Sequence, residues 1–329
     1  MTRREPQPFE SPEPRLCQLR VKVLVGLAFL LFSAVFVAVV ANQIPVGWDF
    51  GAVFRPAARN LLSGKSPYEV RNFFSPVWAA ILFIPFALLP EPLAWGLFLY
   101  LTVVVYLVAL VRMKAKRLDL ILFFLSPFIF YSIRFGNIDS FVLLGVTLPS
   151  FIGIWLLALK PQMTIGLLLL LAYQSYQEGW KKLLALFVPL SLAILVSLVM
   201  SSSSSAYPFD VSWNVDLWPW GVPIGIAILL LALRHKRRFA VLASGPFLSP
   251  YVAIQSWMVT LPAAFGTRWL IVGWGLGWGI VASRATLGEA GSGYEQILIG
   301  LWGLLLVFSE ARRSSHKSPT ESDTPALIE

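Results

Sequence analysis

One carboxylate, Asp49, follows the first long apolar run by a few residues, in Gly47-Trp48-Asp49-Phe50. An aspartate there can cap the helix that follows, or it can take a proton from a hydroxyl group at the membrane face. The two roles are compatible. Arg55 and Arg59 stand at i and i+4 and share one helix face. That face either snorkels into lipid headgroups or grips a phosphate beside Asp49.

A second group, Arg134, Asn137 and Asp139, shares one short polar turn between two apolar runs. Loop polarity accounts for it, and so does a pairing of Arg134 with Asp139. A turn flanked by membrane helices is also a place for ligand contacts. Lys160 has apolar residues on both sides. An ammonium inside a membrane segment costs about 2.5–3.5 kcal/mol on insertion scales, so such residues are functional candidates by default. The competing reading makes Lys160 a cytoplasmic helix end, which holds if residues 141–159 cross the membrane once.

The elements that position these groups must lie in a bilayer. Of 329 residues, 57% are hydrophobic and 13% charged, too little charge to cover a soluble domain of this size. Residues 23–41 carry no charge, and about 20 apolar residues span a bilayer as a helix. The net charge of +9 does not point to nucleic acid, because Lys and Arg gather at helix ends: Lys114, Lys116 and Arg117; Lys181 and Lys182; residues 234–238; Arg312 and Arg313. That is the positive-inside pattern. The single cysteine, Cys17, excludes an internal disulfide, and the two histidines, His235 and His316, lie in basic segments. No metal centre is expected.

Residues 1–22 read as a cytoplasmic N-terminal segment, 23–309 as the transmembrane domain, and 310–329 as a disordered cytoplasmic tail. Residues 50–63 read as an amphipathic helix on the outer surface. The run 76–89 is short and carries Pro85, which suits an interfacial helix. Residues 93–111 and 118–133 then cross, while 141–159 is one bent span or two half-length helices meeting at Pro149. The prolines of 239–265 predict a broken segment lining a cavity. The expected fold is an all-α polytopic bundle with both termini in the cytoplasm. It has roughly 10–12 membrane helices, half-length ones included, beside outer interfacial helices. Gly273/Gly277 and Gly275/Gly279 are small-xxx-small pairs suited to helix packing, not a nucleotide loop.

The first third has a recognisable order. After the opening span and Asp49 come Leu61-Leu62-Ser63-Gly64-Lys65-Ser66-Pro67-Tyr68, Phe74-Ser75-Pro76 and Pro85-Phe86-Ala87-Leu88-Leu89-Pro90. This resembles glycosyltransferase family 87, the polyprenol-phosphate-mannose-dependent mannosyltransferases of the GT-C superfamily. Gly136-Asn137-Ile138-Asp139, Lys160-Pro161 and Ser249-Pro250 resemble later elements of the same family. Gln255 is the polar residue nearest to where some members carry a histidine.

The resemblance implies a GT-C bundle in the plasma membrane. Such a protein moves mannose or another hexose from a polyprenyl-phosphate donor to an envelope glycan or glycolipid on the outer face. It implies Asp49 as the base of an inverting displacement and Lys160 as first choice for the donor phosphate. Arg134, Arg55 and Arg59 are further phosphate candidates. Asp139, Asn137, Tyr68 and Gln255 fall on the acceptor or sugar side. No cofactor or metal is expected, since Lys and Arg can supply the charge. The partners are the lipid-linked sugar, the acceptor and membrane lipids. The competing classes are a transporter or flippase of lipid-linked sugars, which should show inverted repeats, and a non-catalytic membrane assembly protein.

Overall fold

The computed structural model describes residues 13–201, 214–235, 237–288 and 292–316. Helix α1 spans Glu13–Gln43. A short loop leads to a π-helical segment, Asp49–Phe54, which runs on into α2 (Arg55–Leu62). A 3-10 turn at Pro67–Glu69 precedes α3 (Val77–Ala87), and α4 spans Glu91–Arg112. Then come α5 (Arg117–Phe124), α6 (Pro127–Phe135), α7 (Asp139–Gly145), α8 (Ser150–Leu157), α9 (Pro161–Glu178) and α10 (Trp180–Ser201). The remainder holds α11 (Gly221–Arg234), α12 (Arg238–Ser244), 3-10 segments at Gly245–Leu248 and Ile254–Ala264, α13 (Trp269–Leu287) and α14 (Ser292–His316). Among the described residues the one extended pairing is an isolated bridge between Asn214 and Ala253.

Among the described residues the protein is all-α, and five helices there are long and apolar enough to cross a membrane: Lys22–Gln43, Glu91–Arg112, Trp180–Ser201, Trp269–Leu287 and Gly293–Arg313. These mark it as a membrane protein. The expected roughly ten to twelve membrane helices resolve into five of full length, or six if α5 and α6 form one span, plus half-length pieces. The expected segment borders also move. Helix α1 begins at Glu13, inside the segment expected to precede the membrane domain, and α14 continues through His316, past residue 310. Pro14 falls in the first turn of α1, where a proline is tolerated, and neither stretch holds a further proline or a glycine that would stop the helix. The rest of both terminal segments, 1–12 and 317–329, lies outside the described residues.

Prolines set the breaks. The expected single crossing at 118–133 is two helices bent by 56°, because Pro127 pushes Ser126 into an extended conformation (φ −68°, ψ 138°). Helix α7 ends at Gly145, Pro149 caps the start of α8 (φ −52°, ψ 144°), and between them the chain folds back. The Gly145 carbonyl oxygen lies 2.5 Å from where a Cβ on Gly153 would sit, so α7 and α8 form a hairpin held by glycine contacts. Of the glycines on α13, Gly273 packs against the Trp302 ring, Gly277 against Pro127 and Gly279 against Leu298, while Gly275 meets nothing. One expected pair therefore packs fully and the other by half.

The aromatic core of the first third anchors the segment after α1. The Phe50 ring lies 5.0 Å from Phe98, 5.3 Å from Trp95, 5.9 Å from Phe83 and 6.2 Å from Phe86. Ring pairs at such spacings are worth about 0.5–1.5 kcal/mol each beyond area burial. Trp95 also donates its indole N–H to the Ile44 carbonyl at 3.1 Å, fixing the loop that leads into Asp49.

Candidate functional site

Two close approaches bring the loop before Phe50 onto the end of α6. A Cβ on Gly47 would lie 2.5 Å from the Phe135 carbonyl group, so only glycine fits there. Gly136 ends α6 in the left-handed region (φ +72°), and a Cβ on it would lie 2.7 Å from Phe50 Cβ. This is a glycine helix stop pressed against the base of the π-helical segment. Asp49 and Asn137, 88 residues apart in sequence, meet as a result.

Asn137 donates its side-chain amide to Asp49 Oδ2. Its own side-chain oxygen accepts the Ile138 amide at 2.7 Å, which turns the NH₂ group toward the carboxylate. Asn137 is buried, while Asp49 keeps part of its surface accessible. Burial in the surrounding protein pushes the Asp49 carboxyl up to about 6. The positive charge of Lys160 and the Asn137 bond draw it down, and the negative charge of Asp139 adds a smaller push upward. A carboxylate near 6 is ionised at neutral pH and close to the ideal strength for a general base.

The hairpin of α7 and α8 explains Lys160. Asp139 opens α7 and Lys160 stands just past the end of α8, so folding back at Pro149 brings them side by side. Lys160 Nζ lies 2.6 Å from Asp139 Oδ1, with side chains 10% and 0% exposed. Had residues 141–159 crossed once, at 1.5 Å per residue the two would sit about 30 Å apart. The reading of Lys160 as a cytoplasmic helix end, and the pairing of Arg134 with Asp139, both give way to this contact. Neither Asp139 oxygen makes a well-directed hydrogen bond among the described residues, so the pair is held by charge and distance. Removing one partner of such a pair costs about 3–5 kcal/mol, because the other is left buried and uncompensated.

The other expected site residues divide. Arg134 is exposed and makes no ion pair among the described residues. Arg55 is buried and committed elsewhere: Nε donates to the Phe86 carbonyl at 3.2 Å, Nη2 to the Leu89 carbonyl at 2.7 Å, and Nη1 to Glu91 at 3.2 Å. It ties α2 to the α3–α4 corner and is not a free phosphate ligand. Arg59, expected on the same face, is exposed. Tyr68 is buried with its ring 5.3 Å from Phe73. Gln255 is buried in the 3-10 segment Ile254–Ala264, and its side chain makes no hydrogen bond among the described residues. Those contacts do not join Tyr68 or Gln255 to Asp49.

Sequence reasoning did not find three supports of this site. Gly47 carries no signal beyond its neighbourhood to Asp49, although Gly136 at a helix end was legible as a stop. Glu91 as the partner of Arg55 has no periodic signature. Tyr106 on α4, whose hydroxyl lies 2.7 Å from Ser132 Oγ in the interior, looks in sequence like one more aromatic of a span. Compared with known proteins, the chain matches no family model, no curated protein and no solved structure.

Proposed function

We propose that this protein is an integral membrane glycosyltransferase of the GT-C type. It would move a hexose from a polyprenyl-phosphate donor to an envelope glycan or glycolipid at the non-cytoplasmic face of the plasma membrane. One observation carries the reading: a partly accessible carboxylate just beyond a membrane span, aimed by Asn137, whose turn also carries Asp139 and its buried Lys160 partner.

In this reading Asp49 takes the proton from the acceptor hydroxyl. The acceptor oxygen then forms its bond to the anomeric carbon while the bond from that carbon to the phosphate oxygen breaks. Polyprenyl phosphate leaves with the electron pair, and the anomeric configuration inverts. A positioned base contributes typically about 10²–10⁴-fold. The leaving phosphate needs positive charge close by. Lys160 is already paired with Asp139, so the exposed Arg134 supplies that contact more readily. No metal is invoked in the step, and activity should survive EDTA.

A buried ion pair between membrane helices also fits a transporter of lipid-linked sugars. Purified protein incubated with labelled polyprenyl-phosphate-hexose and an acceptor extract separates the two. Transfer should release polyprenyl phosphate, and Asp49→Asn should nearly abolish that release while the protein remains folded. Undiminished release by the variant removes Asp49 from the mechanism. Movement of the intact donor across vesicles without release favours the transporter.

A further inference from the structure

We propose that the Asp139–Lys160 pair is a positioning device that sets the ionisation of Asp49 through the Asn137 turn, without itself touching the substrate. This rests on reading Asp49 as the base. Three features of the geometry carry it.

Asp49 and Asp139 are linked through one turn, since Asn137 bonds Asp49 and Asp139 opens α7 immediately after Ile138. Lys160 is brought to that same turn by the hairpin, 2.6 Å from Asp139. The pair is enclosed, whereas Asp49 keeps an accessible surface. A reachable carboxylate and an enclosed ion pair are therefore joined through one turn.

The other charged groups around Asp49 do not compete for this role. From α2, Arg55 is held by Glu91 and two carbonyls, and Arg59 is exposed. Helix α3 carries no titratable residue. From α6, Arg134 is exposed. From α4, Tyr106 is hydrogen-bonded to Ser132. The two buried charges that act on Asp49 are Lys160 and Asp139. Their influences on Asp49 have opposite signs, Lys160 favouring the ionised form and Asp139 opposing it.

The test uses opposite shifts. In the full chain in lipid nanodiscs, the Asp49 carboxyl is followed by infrared pH titration as the band that Asp49→Asn removes. Lys160→Met should raise its midpoint by about one pH unit, and Asp139→Asn, which releases Lys160 toward Asp49, should lower it. The double variant Asp139→Asn/Lys160→Met leaves no uncompensated charge behind, so it should fold even if a single variant does not. Its midpoint should move upward, by less than that of Lys160→Met. Unchanged midpoints, or shifts of one sign in both single variants, overturn the proposal. Opposite shifts in a protein that shows no sugar transfer would sustain the coupling and sink only the enzymatic reading of Asp49.

Discussion

Asn137 holds Asp49 by a side-chain hydrogen bond that joins the end of α6 to the segment after α1. The bond favours the ionised carboxylate and also aims it. Asn137→Ala should therefore shift the acid limb of kcat/KM to higher pH and lower its plateau by roughly tenfold, the scale of one hydrogen bond to a charged group. Asn137→Asp should do worse, because it adds a negative charge against Asp49. A pH–rate profile on matched amounts of folded protein checks both.

The apolar content of the spans was legible in the sequence because roughly twenty uncharged residues have few other solutions. Asp49 was legible too, as a carboxylate placed where an apolar run stops. The partnership of Asp139 with Lys160 was not. Each residue had a sufficient local explanation, one as turn polarity and the other as a helix end. Only the fold-back at Pro149, a packing event between Gly145 and Gly153, makes them neighbours. Arg55 misled for a similar reason. Its spacing from Arg59 was helical, but spacing says nothing about the carbonyls of Phe86 and Leu89 that take up its donors.

Arg55 and Arg134 should therefore separate experimentally. Arg55→Ala leaves two backbone carbonyls and Glu91 without their partner and should lower stability by about 1–3 kcal/mol, with donor KM little changed in the folded fraction. Arg134→Ala should leave thermal stability near that of the parent and raise donor KM about tenfold or more, as loss of a charge-assisted phosphate contact does. Thermal unfolding in detergent and steady-state kinetics over a donor series give the two readouts.

Gly47 and Gly136 hold the site together through space that no side chain can share. Gly136→Ala meets both a left-handed backbone and the Phe50 Cβ, and Gly47→Ala meets the Phe135 carbonyl. Each should cost about 1–3 kcal/mol and also separate Asp49 from Asn137, so that the remaining folded protein loses activity. Gly275→Ala, which has open space around it on α13, should be neutral or slightly stabilising. Denaturation midpoints of the three variants rank them directly.

Asp49 should make the protein less stable than it need be at the pH where it works. Its folded carboxyl is raised from 3.8 to about 6 chiefly by burial, so the folded state holds the proton more tightly than the unfolded chain does. The stabilisation from that proton is complete below about 3.8 and is lost as pH rises through about 6. At pH 7.5 the buried charge is fully expressed. Asp49→Asn keeps the shape of the side chain, can still meet Asn137, and has no charge to bury. It should therefore unfold at higher temperature than the parent at pH 7.5, by about 1 kcal/mol once the accessible part of the carboxylate is allowed for. The difference should close near pH 4. Loss of transfer together with this gain in stability is the pattern expected of a group retained for chemistry rather than for folding. A variant that is less stable than the parent at pH 7.5, with a gap that does not depend on pH, would instead assign Asp49 to structure.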